Sequence, residues 1–294
     1  MKRIYMSAAL VFSALFAVGE SYAENESPVI AGPYLGQKSP GSTPEIFASG
    51  IVSTEGWEVS GVFTPELNEF YFIRNSKESN QQEIVVFINT NNRWHESVFS
   101  PRVGTPLFSP DGNTMHLGKH YKERAEKSWS EVKNLSSPFD SLPIMRLSAS
   151  SKGTYYFDEF KRDFTGDFIG DIRYSRLVNG IYEEPKLLGK EINSGKSFHP
   201  FIAADESYLI FDGERDGGYG DSDLYISYRK QDGSWRKAIN LGDKINTEGW
   251  EAGASVTPDG KYLFFNRNMT PDNYENVDIF WVDAQFIETL RPEQ

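Results

Sequence analysis

The 294-residue chain contains no cysteine. It therefore has no disulfide, no thiolate metal site, no cysteine nucleophile and no lipid-modified cysteine, and a fold of this size must rest on a large apolar core. Basic charge is also short: 30 Lys and Arg stand against 42 Asp and Glu, a formal net charge of −12. Nucleic acid and anionic membrane surfaces need clustered Lys and Arg, so neither is expected as a partner. After residue 23 no apolar run approaches the roughly 20 residues of a membrane helix. There is no phosphate-cradling glycine loop and no Gly-x-Ser-x-Gly elbow, which leaves nucleotide chemistry and the usual serine-hydrolase arrangement without support. Histidine is scarce, at 95, 116, 120 and 199. His116 and His120 would share a metal on a helix, but the repeat described next puts them on and just beyond a strand.

What is present begins with a secretory signal. Lys2 and Arg3 precede an uncharged apolar run from Met6 to Gly19, and Ser21-Tyr22-Ala23 offers small residues for cleavage. Residues 1–23 read as a signal peptide, and residues 24–294 as one domain in the periplasm or outside the cell. The mature part is repetitive. VFTPELNEFYF (62–72), LFSPDGNTMHL (107–117) and SVTPDGKYLFF (255–265) align, and RLSASSKGTYYF (146–157) and FIAADESYLIF (201–211) are degenerate copies. Their anchors, Pro65, Pro110, Ser151, Ala204 and Pro258, are 45, 41, 53 and 54 residues apart, one four-stranded blade each.

Each unit has a physical logic. An apolar strand runs into Pro-Asp-Gly, where Pro presets φ and Gly takes the left-handed conformation of a tight turn. An aromatic, β-branched strand returns, and a third strand opens on an acid: Glu83, Asp171, Asp223 or Asp278. An outer strand carrying an aromatic is expected around Trp94, Trp129, Tyr182 and Trp235. The last unit reaches only its third strand, and PEIFASGIVSTEGWE (44–58) resembles the segment before the fourth unit, PKLLGKEINSGKSFH (185–199). The expected fold is all-β, a single propeller of five four-stranded blades closed by the N-terminal strand joining the last blade. Ring closure removes the free sheet edges of an open array.

Phe108-Ser109-Pro110-Asp111-Gly112, Val256-Thr257-Pro258-Asp259-Gly260, and Phe211-Asp212-Gly213-Glu214-Arg215-Asp216-Gly217-Gly218 leading to Asp223-Leu224-Tyr225 resemble the TolB-like β-propellers, the Pro-Asp variant of the WD-type repeat. The resemblance covers nearly all of the mature region and implies the fold and an envelope setting. Relatives of this repeat include binding and scaffolding proteins and propellers attached to peptidases or lyases, so the resemblance does not fix a chemistry. The chain lacks the separate N-terminal α/β domain of TolB, and a role in the Tol system does not carry over.

A propeller's functional surface is the mouth of its channel. Seven residues before each anchor stand Glu58, Val103, Ile144, Ser197 and Glu251; five before stand Ser60, Thr105, Arg146, His199 and Gly253. Glu58, Glu251, Arg146 and His199 are the polar exceptions. Thr54-Glu55-Gly56-Trp57-Glu58 recurs verbatim as Thr247-Glu248-Gly249-Trp250-Glu251. Ring closure would make these segments neighbours, with Glu58 and Glu251 approaching one another behind Trp57 and Trp250. That constellation suits a carbohydrate site, or, with Arg146 and His199 holding substrate, the carboxylate pair of a glycoside hydrolase. The alternative is that the duplicated stretch leads the chain into an inner strand and its Trp packs between blades. The run from Asp212 to Asp223 suggests a calcium loop, but it lacks the EF-hand spacing, and an Asp opening a strand more often binds turn amides. The sequence thus predicts a monomeric binding module for a protein or glycan ligand, with no cofactor or metal. A glycan-active enzyme and a structural envelope scaffold are the alternatives.

Overall fold

The computed structural model describes residues 30–76, 78–79, 81–126, 128–270 and 273–293; the expected signal peptide, 1–23, lies outside the described residues. The turns form where the anchors predict. Gly112 (φ 72°) and Gly260 (φ 73°) are left-handed, and their amides donate to Ser109 O (2.9 Å) and Thr257 O (2.8 Å). Asp111 and Asp259 tie these turns by accepting from the Ser109 and Thr257 hydroxyls at 2.6 and 2.8 Å.

Five antiparallel sheets result, arranged as a five-bladed β-propeller. Blade one is Glu58–Phe63, Glu69–Asn75, Gln82–Thr90 and Arg93–Pro101. Blade two is Pro106–Phe108, Thr114–Leu117, His120–Ala125 and Lys133–Asn134. Blade three is Ile144–Ala149, Tyr155–Glu159, Ile172–Ser175 and Lys186–Leu187. Blade four is Phe198–Ile202, Tyr208–Gly213, Asp223–Tyr228 and Ile239–Asn240. Blade five is Glu251–Val256, Tyr262–Asn268 and Val277–Asp283. The expected position of the aromatic on the outer strand holds for Trp94 but not elsewhere. Trp129 and Tyr182 lie in short side pairings, and Trp235 makes an isolated bridge to Arg229, each before the true outer strand. In each case the ring turns inward: Trp235 packs with Tyr156, and Tyr182 stacks on Tyr155 at 4.4 Å.

Both faces of a central strand are buried because a blade has a neighbour on each side. Along Glu69–Asn75, Phe70 and Phe72 join a cluster with Phe264, Ile279 and Trp281 of blade five, while Tyr71 and Ile73 join Leu107, Met115 and Leu117 of blade two. The two-residue period of the strand thus assigns alternate side chains to alternate blades.

The N-terminal segment lies against the last blade. Glu45–Ile46 pairs antiparallel with Val277–Asp283, Glu45 opposite Trp281 and Ile46 opposite Phe280. Two residues of ladder make a short seam, and the segment's larger contribution is apolar. Phe47 is fully buried, with ring centroids 4.8 Å from Phe264, 5.0 Å from Phe70 and 5.1 Å from Trp281, so it plugs the joint between blades five and one. Among the described residues no helix is long and apolar enough to cross a membrane.

Candidate functional site

In four of the five blades the position five before the anchor marks a bulge in the inner strand, whereas in blade two Thr105 lies just ahead of a strand with no slip. The ladder slips between Val59 and Val62, Phe198 and Phe201, and Ala252 and Ser255. Ser60, His199 and Gly253 there have φ of 63°, 47° and 68°. The slip turns the backbone amide sideways, out of its own ladder, and it needs another acceptor. The second strand of a blade supplies it. Asn266 Oδ1 accepts from Ser60 N (2.8 Å), Asp212 Oδ1 from Gly253 N (2.9 Å), and Asp158 Oδ2 from His199 N (2.9 Å), each in the following blade. Asp158 Oδ1 also accepts from Arg146 N of its own blade at 2.8 Å. At Gly253 the approach is too close for a side chain: a Cβ would lie 2.5 Å from Asn266 Nδ2 and 3.2 Å from Arg146 Nη1.

Arg146 lies on this axis, 1% exposed, its Nη2 donating to Ala254 O at 2.9 Å and its Nε and Nη1 unpartnered. Burial brings its pKa down to about 10 against the opposing pull of Asp212 and Asp158. His199 sits above it. Its Nδ1 meets the Asp212 carboxylate at 2.9 and 3.0 Å, which leaves Nε2 as the free edge of a ring whose side chain is 22% exposed. Burial pushes the imidazole pKa down, but Asp212, and after it Asp158, outweigh burial and hold it above the ordinary histidine value. Asp158, wholly buried, is itself raised by burial.

A cleft of about 430 Å³ opens over His199 at the end of the channel where the inner strands begin. His199 and Asp212 belong to its lining, as do Trp250, Tyr274, Phe198 and Met145, with Asp221, Asp167 and Glu214 among its acids and Lys196 and Arg162 among its bases. The rings of Trp250 and Tyr274 meet edge to face at 5.9 Å. Lys196 is held by Glu214 (2.7 Å), and the Arg162 guanidinium lies 3.8 Å over the Phe168 ring. Chemically the cleft offers apolar ring faces beside a hydrogen-bonded imidazole–carboxylate pair, in a volume suited to a small ligand or one end of a larger one.

Of the six residues singled out from the sequence, His199 and Trp250 line this cleft and Arg146 lies beside His199 on the axis. Glu58 and Glu251 are both buried, and each turns back on its own leading turn. Glu58 accepts from Thr54 N (3.1 Å) and Oγ1 (2.7 Å), and Glu251 from Thr247 N (2.8 Å) and Oγ1 (2.7 Å). Glu251 also takes Arg267 Nε at 2.9 Å. The carboxylate that lifts Asp278 is Glu58: burial first, then that charge, raise the Asp278 pKa to about 6. Trp57 bridges to Val277 and lies under Arg102. In the run considered as a calcium loop, Asp223 accepts from Tyr219 N (2.8 Å), Gly220 N (3.2 Å) and Asn240 Nδ2 (2.7 Å).

Sequence reasoning missed Asp158 and Asn266, and the axial role of Asp212, although the three recur every 54 residues, each directly after an aromatic of the second strand. It missed Tyr274 and Phe198, for which no periodic signal exists.

No protein-family model matches the chain, and no curated protein matches it in sequence. Among solved structures it is similar to TolB from Acinetobacter baumannii, with 15% identity, a TM-score of 0.45 and 78% of this chain covered; the chain spans 57% of the length of that TolB. It is also similar to the catalytic domain of Coprinopsis cinerea GH62 α-L-arabinofuranosidase (9% identity, 82% and 97% of the two chains, TM-score 0.47). A third is an endo-arabinase from Bacteroides thetaiotaomicron VPI-5482 (13%, 82% and 96%, TM-score 0.46). The neighbours of this five-bladed propeller thus include TolB proteins and other propellers, and likenesses this distant say nothing about the cleft.

Proposed function

We propose that the protein is an exported binding module that holds a neutral glycan in the cleft over His199. The observation that carries this reading is the placement of the Trp250 and Tyr274 ring faces beside the His199–Asp212 pair in one cleft. Sugars present apolar C–H faces edged by hydroxyls, and an aromatic face with a fixed donor–acceptor pair beside it matches both. The cleft's Lys and Arg side chains are already engaged, Lys196 by Glu214 and Arg162 by Phe168, and Asp167, Asp221 and Glu214 also line it, which favours a neutral ligand over an anionic one. Arg146 stiffens the floor from below, and the Glu58 and Glu251 carboxylates keep the role of holding the turns that deliver Trp57 and Trp250. The test is binding of the mature protein to a glycan array. Trp250→Ala and His199→Ala are expected to abolish it, while Glu58→Gln is expected to leave it intact. Retention of binding in both cleft variants would overturn the assignment.

One observation favours a second reading, a glycan-active enzyme. Nδ1 of His199 is fixed by Asp212 and Nε2 is left to the cleft, the arrangement of an acid–base imidazole. Release of reducing ends from bound glycans, lost in Asp212→Asn while binding persists, would select it.

A further inference from the structure

Blade three differs from the others between its second and third strands. Residues 160–171 carry a two-stranded hairpin of their own, Lys161–Arg162 paired with Phe168–Ile169. Its tip is fixed: Asp163 Oδ1 accepts from Thr165 N (2.8 Å), Thr165 Oγ1 (2.6 Å) and Asp167 N (3.0 Å), and Asp163 N donates back to Asp167 O at 2.8 Å. The hairpin contributes nothing to the buried clusters between blades, yet it is rich in apolar side chains. Phe160 is 52% exposed and Phe164 wholly exposed, and Phe168 and Ile169 are also open to solvent.

Its position gives these rings a use. Arg162, Asp167 and Phe168 line the same cleft as Trp250 and Tyr274. The aromatic surface does not stop there. Phe160 meets Phe168 edge on at 5.1 Å but lies outside the cleft, and Phe164 stands at the tip beyond both. A ring surface that begins in a binding cleft and continues past it on a fixed hairpin fits a ligand that also continues past the cleft.

We infer that the ligand is a linear, neutral polysaccharide, and that the 160–169 hairpin forms a track of further subsites along which the chain leaves the cleft. This rests on the glycan reading above and specifies its substrate class as a polymer, against a free sugar or a short terminal epitope. A polymer stacks successive units on successive rings, and each ring contact adds affinity on the order of a few-fold to tenfold. Exposed phenylalanines on a strongly acidic surface are accounted for by the same contact.

The test is calorimetric titration of the mature protein with cello-, xylo-, malto- and chito-oligosaccharide ladders from disaccharide to hexasaccharide. For the ladder that binds, affinity is expected to rise with length by roughly tenfold or more beyond the units that fill the cleft. The Phe160→Ala, Phe164→Ala double variant is expected to keep the wild-type affinity for the shortest binder and lose the rise. Neither residue packs in the core, and far-UV dichroism and unfolding midpoint should match wild type. Affinity independent of length, or a length dependence untouched by the double variant, would overturn the track while leaving the cleft reading in place; the exposed rings would then serve a protein partner. Absence of binding by every ladder would overturn both.

Discussion

His116 offers a direct measurement of what burial does to a polar side chain in this ring. It lies on the second strand of blade two, 1% exposed, with neither ring nitrogen partnered, its ring edge on Tyr155 at a centroid distance of 5.2 Å. Burial pulls its pKa down to about 4 from 6.5, with Asp111 pulling weakly the other way. A folded pKa below the unfolded one means the unfolded chain binds a proton first as pH falls. Stability is therefore full above pH 6.5 and lost between 6.5 and 4. From those two values the loss relative to pH 7.5 is about 1.4 kcal/mol at pH 5.5 and about 2.5 kcal/mol at pH 4.5. His116→Leu keeps an apolar side chain of comparable size and removes both the titration and the unpartnered nitrogens. Each buried unsatisfied group costs roughly 1–3 kcal/mol, offset in part by the lost edge contact with Tyr155, so the variant should be at least as stable at pH 7.5. Urea unfolding of both proteins from pH 7.5 to 4.5 decides the matter, because every other titration cancels in the difference. A difference that widens by about 2.5 kcal/mol in favour of the variant supports the reasoning; a constant difference refutes it.

Three further outcomes are expected. Phe47→Ala should cost about 3–5 kcal/mol in urea unfolding, the range for emptying a fully buried phenylalanine site; a cost under about 1 kcal/mol would show that the joint collapses around the gap. Deleting residues 24–56 removes this plug and the pairing strand together and should lower the cooperative melting temperature by at least as much as Phe47→Ala, whereas a deletion protein melting like the undeleted chain would show that the N-terminal segment does not hold the ring closed. Asp278 has its carboxyl pKa raised to about 6 by burial and Glu58, so the protein loses stability as pH rises from 3.8 to 6. Asp278→Asn should therefore stabilise on the order of 3 kcal/mol at pH 7.5 and do next to nothing at pH 3.5, and an effect of the same size at both would refute the coupling.

The repeat was legible because turn chemistry is local: Pro110-Asp111-Gly112 and Pro258-Asp259-Gly260 need only their own residues to form. The positions five before each anchor were legible as special for the same reason, being a fixed distance from a turn. The duplicated Thr-Glu-Gly-Trp-Glu was legible as a repeat but not as a function. Its bonds run from Thr54 to Glu58 and from Thr247 to Glu251, and a motif that satisfies itself gives the same sequence signal as one that reaches for a ligand. Asp158, Asp212 and Asn266 act across a blade boundary, on amides 41 to 206 residues away, and no window on the chain contains both partners. Trp250 entered the candidate list through its repeat; Tyr274, which completes the ring pair, sits in a loop whose length and course no period sets.

The lacing of the axis has one consequence for motion. Asp158 joins blade three to four, Asp212 joins four to five, and Asn266 joins five to one. The matching positions in blades one and two are Ile73 and Gly118, which have no side-chain oxygen to offer the next inner strand. Blade two, with strands of three and four residues nearest the axis, therefore lacks this axial clasp on both sides, and away from the axis the Arg124–Glu69 ion pair and the Trp129–Tyr71 hydrogen bond tie it to blade one. Amide hydrogen exchange should find it the first region to open, in the manner of a belt that gives at the one link left unbuckled, while the cleft over His199 stays within the buckled part of the ring.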